Sequence, residues 1–398
     1  MQGVIGQLTS TLQNLAERYR ALNSAYIKEC DYRRKIFNDL QDLRGAIRVF
    51  CRVRPLIQSE IDKQETAVID TSLLVHLSQN TVDTGKGQRR SDKIYEFDRV
   101  FDAFSSQSLV FSEMKGLVTS VLDGYSACIF AYGQTGSGKT FTMEGEEGEQ
   151  AGMIPRTLET LCEEMAQHPE IRYAVAIRMI EIYNEKVYDL LGGNAQVDAR
   201  LDASGRVVFP SAVVEEAKSL TQMLEILKRG NQSRRVASTA SNEHSSRSHM
   251  LFFLSIHSSN SASNQTSQGN LVLIDLAGSE RVSKTESTGQ RLVEGQHINK
   301  SLSSLGDVIH ALNNKHKHVP FRNSMLTFVL QDVLAIGNKV LMIAQLSPAG
   351  CNVQESLQSL EFANRVNKVV LGRSVENRTQ PLVAKLNEAV ILRERCEE

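Results

Sequence analysis

The chain opens with a long segment that contains no helix breakers. Residues 7–44 include neither glycine nor proline, and ten of the twelve core positions of a seven-residue register are apolar. One core position takes Ile5, Leu12, Tyr19, Tyr26, Arg33 and Leu40, and the other takes Leu8, Leu15, Leu22, Glu29, Ile36 and Leu43. The pattern predicts a helix about 60 Å long. Two arrangements of this helix fit the pattern: it pairs with a second helix as a coiled coil, or it is a single amphipathic helix that lies on a globular core.

The pattern changes at Gly45, after which an alternating β-branched run starts at Ile47 and stops before Pro55. Strand-like runs recur downstream, with helical periods between several of them. These runs are residues 126–132, 174–183, 249–257, 271–274 and 340–346. The alternation predicts an α/β fold in which helices cover both faces of a sheet. The polar stretch 258–269 predicts a solvated hairpin loop, and a short helix is expected after Pro381.

Composition narrows the class of protein. The 45 basic and 46 acidic residues nearly cancel, so no general attraction to nucleic acid or to an anionic membrane is expected. The six cysteines form no CxxC pair and no zinc-spaced set with histidine, which predicts reduced thiols in a cytosolic protein. No apolar run has membrane-spanning length, and no secretory leader pattern is present. We expect a soluble, non-secreted protein that was cut from a longer one.

Two segments carry the chemistry of nucleotide binding. Residues 133–140, Gly-Gln-Thr-Gly-Ser-Gly-Lys-Thr, match GxxxxGK[ST] directly after an apolar run. Amides of such a loop wrap phosphate oxygens, Lys139 reaches the β and γ phosphates, and the Thr140 hydroxyl binds Mg²⁺. A second apolar run ends in Asp275, which can hold Mg²⁺ through water, and the Gly278 amide can sense the γ phosphate. A glycine-rich turn without ligand is the alternative for the first segment.

A third segment, residues 242–249, reads Asn-Glu-His-Ser-Ser-Arg-Ser-His, and composition alone is typical of a solvated loop. Together with residues 275–280 and the phosphate loop, however, it resembles switch I, switch II and the P-loop of kinesins. The resemblance continues through residues 181–191, 298–302 and 318–323 and covers about residues 47–371. It implies a kinesin motor fold, a P-loop NTPase with a central, mostly parallel mixed β-sheet flanked by helices on both faces and preceded by a coiled-coil neck.

The resemblance implies a site for ATP and Mg²⁺. Its nucleotide-binding residues would be Arg52, Arg54, Pro55, Gln134, Thr135, Gly136, Ser137, Gly138, Lys139, Thr140, Phe141 and Asn242. Adenine would lie against the Arg52 to Pro55 segment, with Phe141 closing its other side. The metal ligands would be Thr140, Ser246 and Asp275.

The resemblance also assigns catalytic roles to the switch segments. Ser245 and the Gly278 amide would position the attacking water and the γ phosphate. Arg247 and Glu280 resemble the ion pair that closes when ATP is bound, which would align the water and exclude bulk solvent. Glu280 would be the final proton acceptor, through a second water.

The implied partner is the microtubule. Because tubulin is acidic and this chain is nearly neutral, a local basic face is required. The expected face comprises Arg281, Lys284, Arg291, Lys300, Lys315, Lys317 and Arg322. Met325 and residues 335–338 depart from the family's pattern there. The segment 32–43 resembles the neck of C-terminal-motor kinesins, which generally move toward the minus end by swinging that neck.

The predicted organisation has three parts: a coiled-coil neck over residues 1–44, a motor domain over 45–372 and an extension over 373–398. The coiled-coil neck predicts a dimer. No nucleic-acid or membrane partner is expected. The expected location is the cytoplasm, on the microtubule cytoskeleton and the spindle. Two other functions stay open. One is a microtubule-binding crosslinker with little or no motility, and the other is a GTPase-like switch, which the absence of an NKxD-type guanine motif disfavours.

Overall fold

The apolar runs become neighbouring strands of one eleven-stranded sheet in the computed structural model of the protein. The structure describes residues 2–45, 47–71, 75–81, 89–238, 244–260, 265–280, 290–334, 337–369, 376 and 378–379. The main path of the sheet follows the order β5-β1-β15-β6-β14-β13-β7-β8-β9. The strands are β1 Ile47–Val53, β2 Ile69–Asp70, β3 Val75–Thr81, β4 Arg89–Tyr95, β5 Arg99–Phe101, β6 Ser126–Tyr132, β7 Ile171–Tyr183, β8 Lys186–Asp189, β9 Ala195–Val197, β10 Arg200–Leu201, β11 Val207–Val208, β12 Glu215–Ala217, β13 His249–Asn260, β14 Gln265–Asp275, β15 Lys339–Leu346 and β16 Arg378–Thr379.

Helices occupy both faces of this sheet, as the alternation predicted. They are α1 Gln2–Leu43, α2 Gln58–Ile61, α3 Gln107–Leu122, α4 Lys139–Met143, α5 Met153–Ala166, α6 Leu220–Ser238, α7 His244–Arg247, α8 Gln290–Asn313, α9 Met325–Val329 and α10 Val353–Asn367. Alternate residues of β6 point to opposite faces: Cys128 and Phe130 join the core under α8, α9 and α10, whereas Ile129 and Ala131 join the core under α3, α5 and α6. Within the described part of the chain, no helix is both long and apolar enough to cross a membrane.

The sheet is parallel on one side and antiparallel on the other. Strands β5, β1, β15, β6 and β14 pair in parallel, and from β14 through β13, β7, β8 and β9 the pairing is antiparallel. The register of β6 and β14 places Asp275 opposite Ala131. Because parallel strands end at the same edge, the segments that follow β6 and β14 meet there, where ligands bind in open α/β sheets.

The N-terminal helix is confirmed over residues 2–43. It ends at Leu43, two residues before Gly45, whose φ of 102° suits glycine and stops the helix. The apolar register positions are exposed, from 48% for Leu40 to 84% for Leu43. On another side of the helix, Asn38 and Gln41 are buried against the head. One side of α1 therefore packs on the globular core, while the apolar positions of the seven-residue register face outward.

The predicted loop over residues 258–269 is wrong for most of its length. Strands β13 and β14 stay paired as far as Asn260 opposite Gln265, and only residues 261–264 fall outside the described chain. The Ser258 and Ser267 hydroxyl groups are 2.7 Å apart across the ladder. The ladder uses backbone groups, so polar side chains that face water do not prevent it. The helix predicted after Pro381 lies outside the described residues.

Candidate functional site

The predicted phosphate loop, residues 133–138, connects β6 to α4 through a turn that requires glycine. Gly133, Gly136 and Gly138 have φ values of 152°, 72° and 102°, which residues with a side chain rarely adopt. A Cβ on Gly133 would also lie 2.3 Å from the Gln345 carbonyl oxygen. Residues 133–138 therefore form a turn of the kind that presents backbone amides to phosphate oxygens.

Lys139 begins α4 and is 6% exposed. Its Nζ donates to the carbonyl oxygens of Gly133 at 2.8 Å and Gln134 at 2.9 Å. Burial lowers the pKa of Lys139, and the charges of Asp275 and Glu280 oppose that shift. The ammonium group is thus held over the loop, where phosphate oxygens would make stronger, charge-assisted bonds than these carbonyls.

The three predicted metal ligands lie on segments that meet beside this loop. The Thr140 hydroxyl donates to Asp275 Oδ2 at 2.8 Å. Asp275 is fully buried, and within the described chain its Oδ1 has no hydrogen-bond partner. Half-buried Ser246 accepts a 2.8 Å bond from the Gly278 amide through its carbonyl oxygen. A threonine hydroxyl, a buried carboxylate with one oxygen that accepts no hydrogen bond within the described chain, and a serine nearby fit the oxygen ligands that Mg²⁺ prefers.

Arg234 of α6 joins this cluster, and the sequence reasoning missed it. Its side chain is 4% exposed and lies 3.1 Å from Asp275, 3.5 Å from Glu144 and 3.5 Å from Glu181. Burial would lower the pKa of Arg234, but the three carboxylates outweigh it and the net shift is upward. Arg234 also donates to the Ser245 carbonyl oxygen at 3.2 Å, so it ties switch I to Asp275.

The two charged switch residues have separate partners in the structure. Glu280 accepts from the Thr135 amide at 2.8 Å and from its hydroxyl at 2.5 Å. Arg247 lies 2.9 Å from Glu294 of α8, and Glu294 also accepts from the Tyr183 hydroxyl at 2.7 Å. The Arg247–Glu280 pair therefore stays a prediction, while switch I is joined directly to α8.

Comparison with known proteins identifies the family. A sequence model described as the kinesin motor domain matches residues 52–369. The chain belongs to the kinesin motor family. This confirms the predicted resemblance and, with it, the predicted mixed sheet flanked by helices.

Individual kinesins resemble the chain over most of its length. It is 43% identical over 375 residues to the kinesin-like protein KIN-14S of Arabidopsis thaliana, covering 92% of this chain and 48% of the relative. It is 41% identical over 383 residues to KIN-14R of Oryza sativa subsp. japonica, covering 92% and 38%. The chain thus spans less than half the length of these curated relatives. The C-terminal motor and motor homology domain of Kar3Vik1, fused to a synthetic heterodimeric coiled coil, superposes with a TM-score of 0.77 at 37% identity, covering 92% of this chain and 96% of that one.

The predicted adenine-binding residues of this kinesin lie beside the phosphate loop. Arg54 donates to the Gly136 carbonyl oxygen at 2.6 Å and forms an ion pair with Glu60 at 2.6 Å. Its Nη1 also donates to the Pro55 carbonyl oxygen at 2.8 Å. Arg54 therefore fixes the segment that carries Pro55 against the loop.

Arg52 is more deeply buried than a stacking residue needs to be, at 7% exposure. It donates to Gln107 at 2.7 Å and to Thr142 at 2.8 Å, and its guanidinium lies 5.6 Å from the centre of the Phe141 ring. Burial lowers the pKa of Arg52 to about 10. This environment fits support of Phe141, which is 38% exposed, better than direct contact with a base. Contact of Arg52 with adenine stays a prediction.

Some of the remaining predicted site residues lie within the part of the chain that the structure describes, and others lie outside it. Ser137 donates to the Gln134 carbonyl oxygen at 2.8 Å inside the loop. Asn242, Arg281 and Lys284 lie outside the described residues, as does the side chain of Arg291. The other four basic residues are exposed, namely Lys300, Lys315, Lys317 and Arg322. They lie on α8 and on the segment between α8 and α9, one side of the head.

The N-terminal helix α1 contacts the globular part of this kinesin through a polar junction. Asp42 and Lys339 form an ion pair at 2.6 Å, with the lysine side chain 3% exposed. Lys339 Nζ also lies 4.9 Å from the centre of the Tyr125 ring. Asp123, at the end of α3, accepts from Asn38 at 2.9 Å and pairs with Arg34 at 3.3 Å. The last three turns of α1 are therefore held by charges and amides.

Proposed function

We propose that this chain is the ATP-hydrolysing head of a microtubule motor that moves toward the minus end. The observation that carries the proposal is a connected set of contacts. The phosphate loop meets switch II at the Thr140–Asp275 bond, switch II meets switch I at the Gly278–Ser246 bond, and switch I is attached to α8 through Arg247 and Glu294. Loss of the γ phosphate would change the position of the switches, and this attachment would pass the change to α8. Membership of the kinesin motor family supports the same function.

The reaction is the transfer of the γ phosphoryl group of ATP to water, giving ADP and phosphate. Lys139 and the loop amides bind the phosphates, while Thr140, Ser246 and Asp275 would hold Mg²⁺, which neutralises developing charge when bound. Ser245 and the Gly278 amide orient the water. Glu280 leaves Thr135 and pairs with Arg247, so that it accepts the proton through a second water.

The basic side of the head would bind the acidic microtubule surface, with Lys300, Lys315, Lys317 and Arg322 contributing. In the proposed organisation, residues 1–44 pair with a second helix and the motor domain follows over residues 45–372. The exposed apolar register of α1 supports such pairing, because a stripe of this length is normally covered. The motor would then work as a dimer on the cytoplasmic microtubule cytoskeleton.

The test is ATP turnover with and without microtubules, followed by gliding of polarity-marked microtubules. Turnover should rise when microtubules are added, and the filaments should glide with their plus ends leading. Stimulated turnover without gliding would indicate a crosslinker, and preference for GTP would indicate a different switch. A chain whose ATP turnover does not respond to microtubules is not a motor.

A single substitution tests the assignment of Glu280. Glu280→Ala removes the carboxylate that would accept the proton. ATP binding should persist, while microtubule-stimulated turnover should fall at least about a hundredfold, as expected for loss of a general base. Nucleotide binding is measured with a fluorescent ATP analogue. Unchanged stimulated turnover would remove Glu280 from the mechanism.

A further inference from the structure

A buried histidine joins switch II to α8 by a continuous line of hydrogen bonds. His249, the first residue of β13, is 3% exposed. The Ala277 amide donates to its Nδ1 at 3.0 Å, and its Nε2 lies 2.8 Å from the Ser301 hydroxyl oxygen. Ser301, which is 2% exposed, donates in turn to the Ile298 carbonyl oxygen at 2.8 Å. These contacts define the switch–helix relay: Ala277, His249, Ser301 and Ile298.

The direction of each bond in the relay follows from its ends. A backbone amide only donates, so Nδ1 of His249 accepts and the ring proton resides on Nε2. The Ser301 hydroxyl has one hydrogen, which points to Ile298, so its oxygen accepts from Nε2. Burial, with the charges of Arg234 and Lys139, lowers the pKa of His249 to about 3. The ring is therefore neutral at physiological pH. Every hydrogen bond of the relay is then donated in the same direction, from Ala277 toward Ile298.

The position of the relay suits it to transmit a nucleotide signal. Ala277 directly precedes Gly278, whose amide donates to the Ser246 carbonyl oxygen at 2.8 Å. A γ phosphate that took over the Gly278 amide would turn the peptide beside Ala277 and so move the bond to His249. At the other end, Ser301 lies seven residues after Glu294, the partner of Arg247. The two attachment points are about 10 Å apart along one side of the helix.

We propose that His249 is a positioning residue that couples switch II to α8 through Ser301. Arg247 and His249 then hold α8 at two points two turns apart, which fixes its rotation as well as its position along the axis. This inference rests on the proposed motor function. It adds that the coupling needs a specific side-chain hydrogen bond and not packing alone.

The experiment compares basal and microtubule-stimulated ATPase in the wild-type chain, four single variants and one double variant. Ser301→Ala removes the acceptor on α8, and Ser301→Thr keeps the hydroxyl. His249→Asn keeps an acceptor near the Nδ1 position but is too short to reach Ser301. Ser303→Ala is the control, because Ser303 is an exposed serine on the same helix. Thermal unfolding of each variant separates loss of coupling from loss of fold.

Ser301→Ala should leave basal turnover within about twofold and lower the microtubule-stimulated kcat by about tenfold, within the range typical of coupling between sites. Ser301→Thr and Ser303→Ala should retain stimulation. The double variant His249→Asn with Ser301→Ala should have a microtubule-stimulated turnover no lower than that of the more impaired single variant, because both changes break the same bond. If His249→Asn does not fold, the comparison of Ser301→Ala with Ser301→Thr decides the question.

Two results would overturn the inference. Full stimulation of Ser301→Ala, beside a stimulated wild-type chain, would remove the relay while leaving the motor function intact. Equal losses of basal and stimulated turnover would show that Ser301 serves structure only. A wild-type chain without stimulation would instead overturn the proposed function, and the relay with it.

Discussion

Replacing Arg234 by methionine should destabilise the head more than any change of one surface charge. Methionine fills much of the same volume but leaves Asp275, Glu144 and Glu181 facing one another. These carboxylates are 1%, 11% and 1% exposed, so water cannot solvate them well. Removal of one partner from a buried ionic group costs about 3–5 kcal/mol. A typical domain is stable by about 5–15 kcal/mol, so the loss is a large fraction of the total.

The assay is urea unfolding of Arg234→Met and of the control Arg229→Met at several pH values. Arg229 lies on the same helix and pairs with Glu215, but it is 53% exposed, and its loss should cost less than about 1 kcal/mol. Burial already raises the pKa of the Glu144 carboxyl above its ordinary value, and loss of Arg234 should raise it further. A group whose folded pKa is raised stabilises the fold at low pH and loses that contribution as pH rises. The deficit of Arg234→Met should therefore shrink on acidification from pH 7 toward the carboxylate range.

Two outcomes would refute this reasoning. If Arg234→Met unfolds at the same urea concentration as Arg229→Met, the buried cluster does not depend on the cation. If the deficit is independent of pH, it arises from lost packing of the arginine side chain and not from repulsion among the carboxylates. Adding Glu144→Gln to Arg234→Met should recover part of the lost stability, because one of the three like charges is removed.

Two further predictions concern the junction between α1 and the head. Lys339→Met removes the ion pair between Lys339 and Asp42, so amides in the last turns of α1 should exchange with deuterium at least about tenfold faster; unchanged protection would show that the ion pair does not hold the helix. Burial raises the pKa of Asp123 to about 6, despite the opposing effects of Arg34 and Asn38, so its contribution to stability is present below about pH 4 and is lost as pH rises through 6. Asp123→Asn should raise the free energy of unfolding at pH 7.5 by at most about 3 kcal/mol, seen as a higher melting temperature, and have no effect near pH 4; destabilisation at pH 7.5 would contradict this.

Short-range patterns predicted most of the fold that positions the site. The run 126–132 appears as β6 with the same bounds, because an apolar run between a polar segment and a glycine-rich loop has few other conformations. The spacing of glycines and Lys139 also predicted the loop between β6 and α4. In both cases the information lies within about ten residues, so neighbours along the chain are neighbours in space.

Contacts between distant segments were not predictable in this way. Arg234 and Arg235 are adjacent and chemically identical in sequence, yet Arg234 is buried and Arg235 is exposed. Which of them faces inward depends on how α6 packs against β7 and β12. His249 was visible as part of a motif, but its bond to Ser301 joins residues 52 positions apart. No local pattern specifies that pairing, because it is created when β13 and α8 pack together.

The N-terminal helix shows the physical reason for this division. Its apolar register was visible because a coiled-coil seam must repeat along the sequence. The side that touches the head uses Asn38, Gln41 and Asp42 instead, and polar residues on a helix are normally solvated. A polar junction can detach with water replacing its hydrogen bonds, whereas an apolar seam loses its burial when it opens. The contact that sequence could not predict is thus the one suited to be made and broken, as the proposed motor function requires of α1.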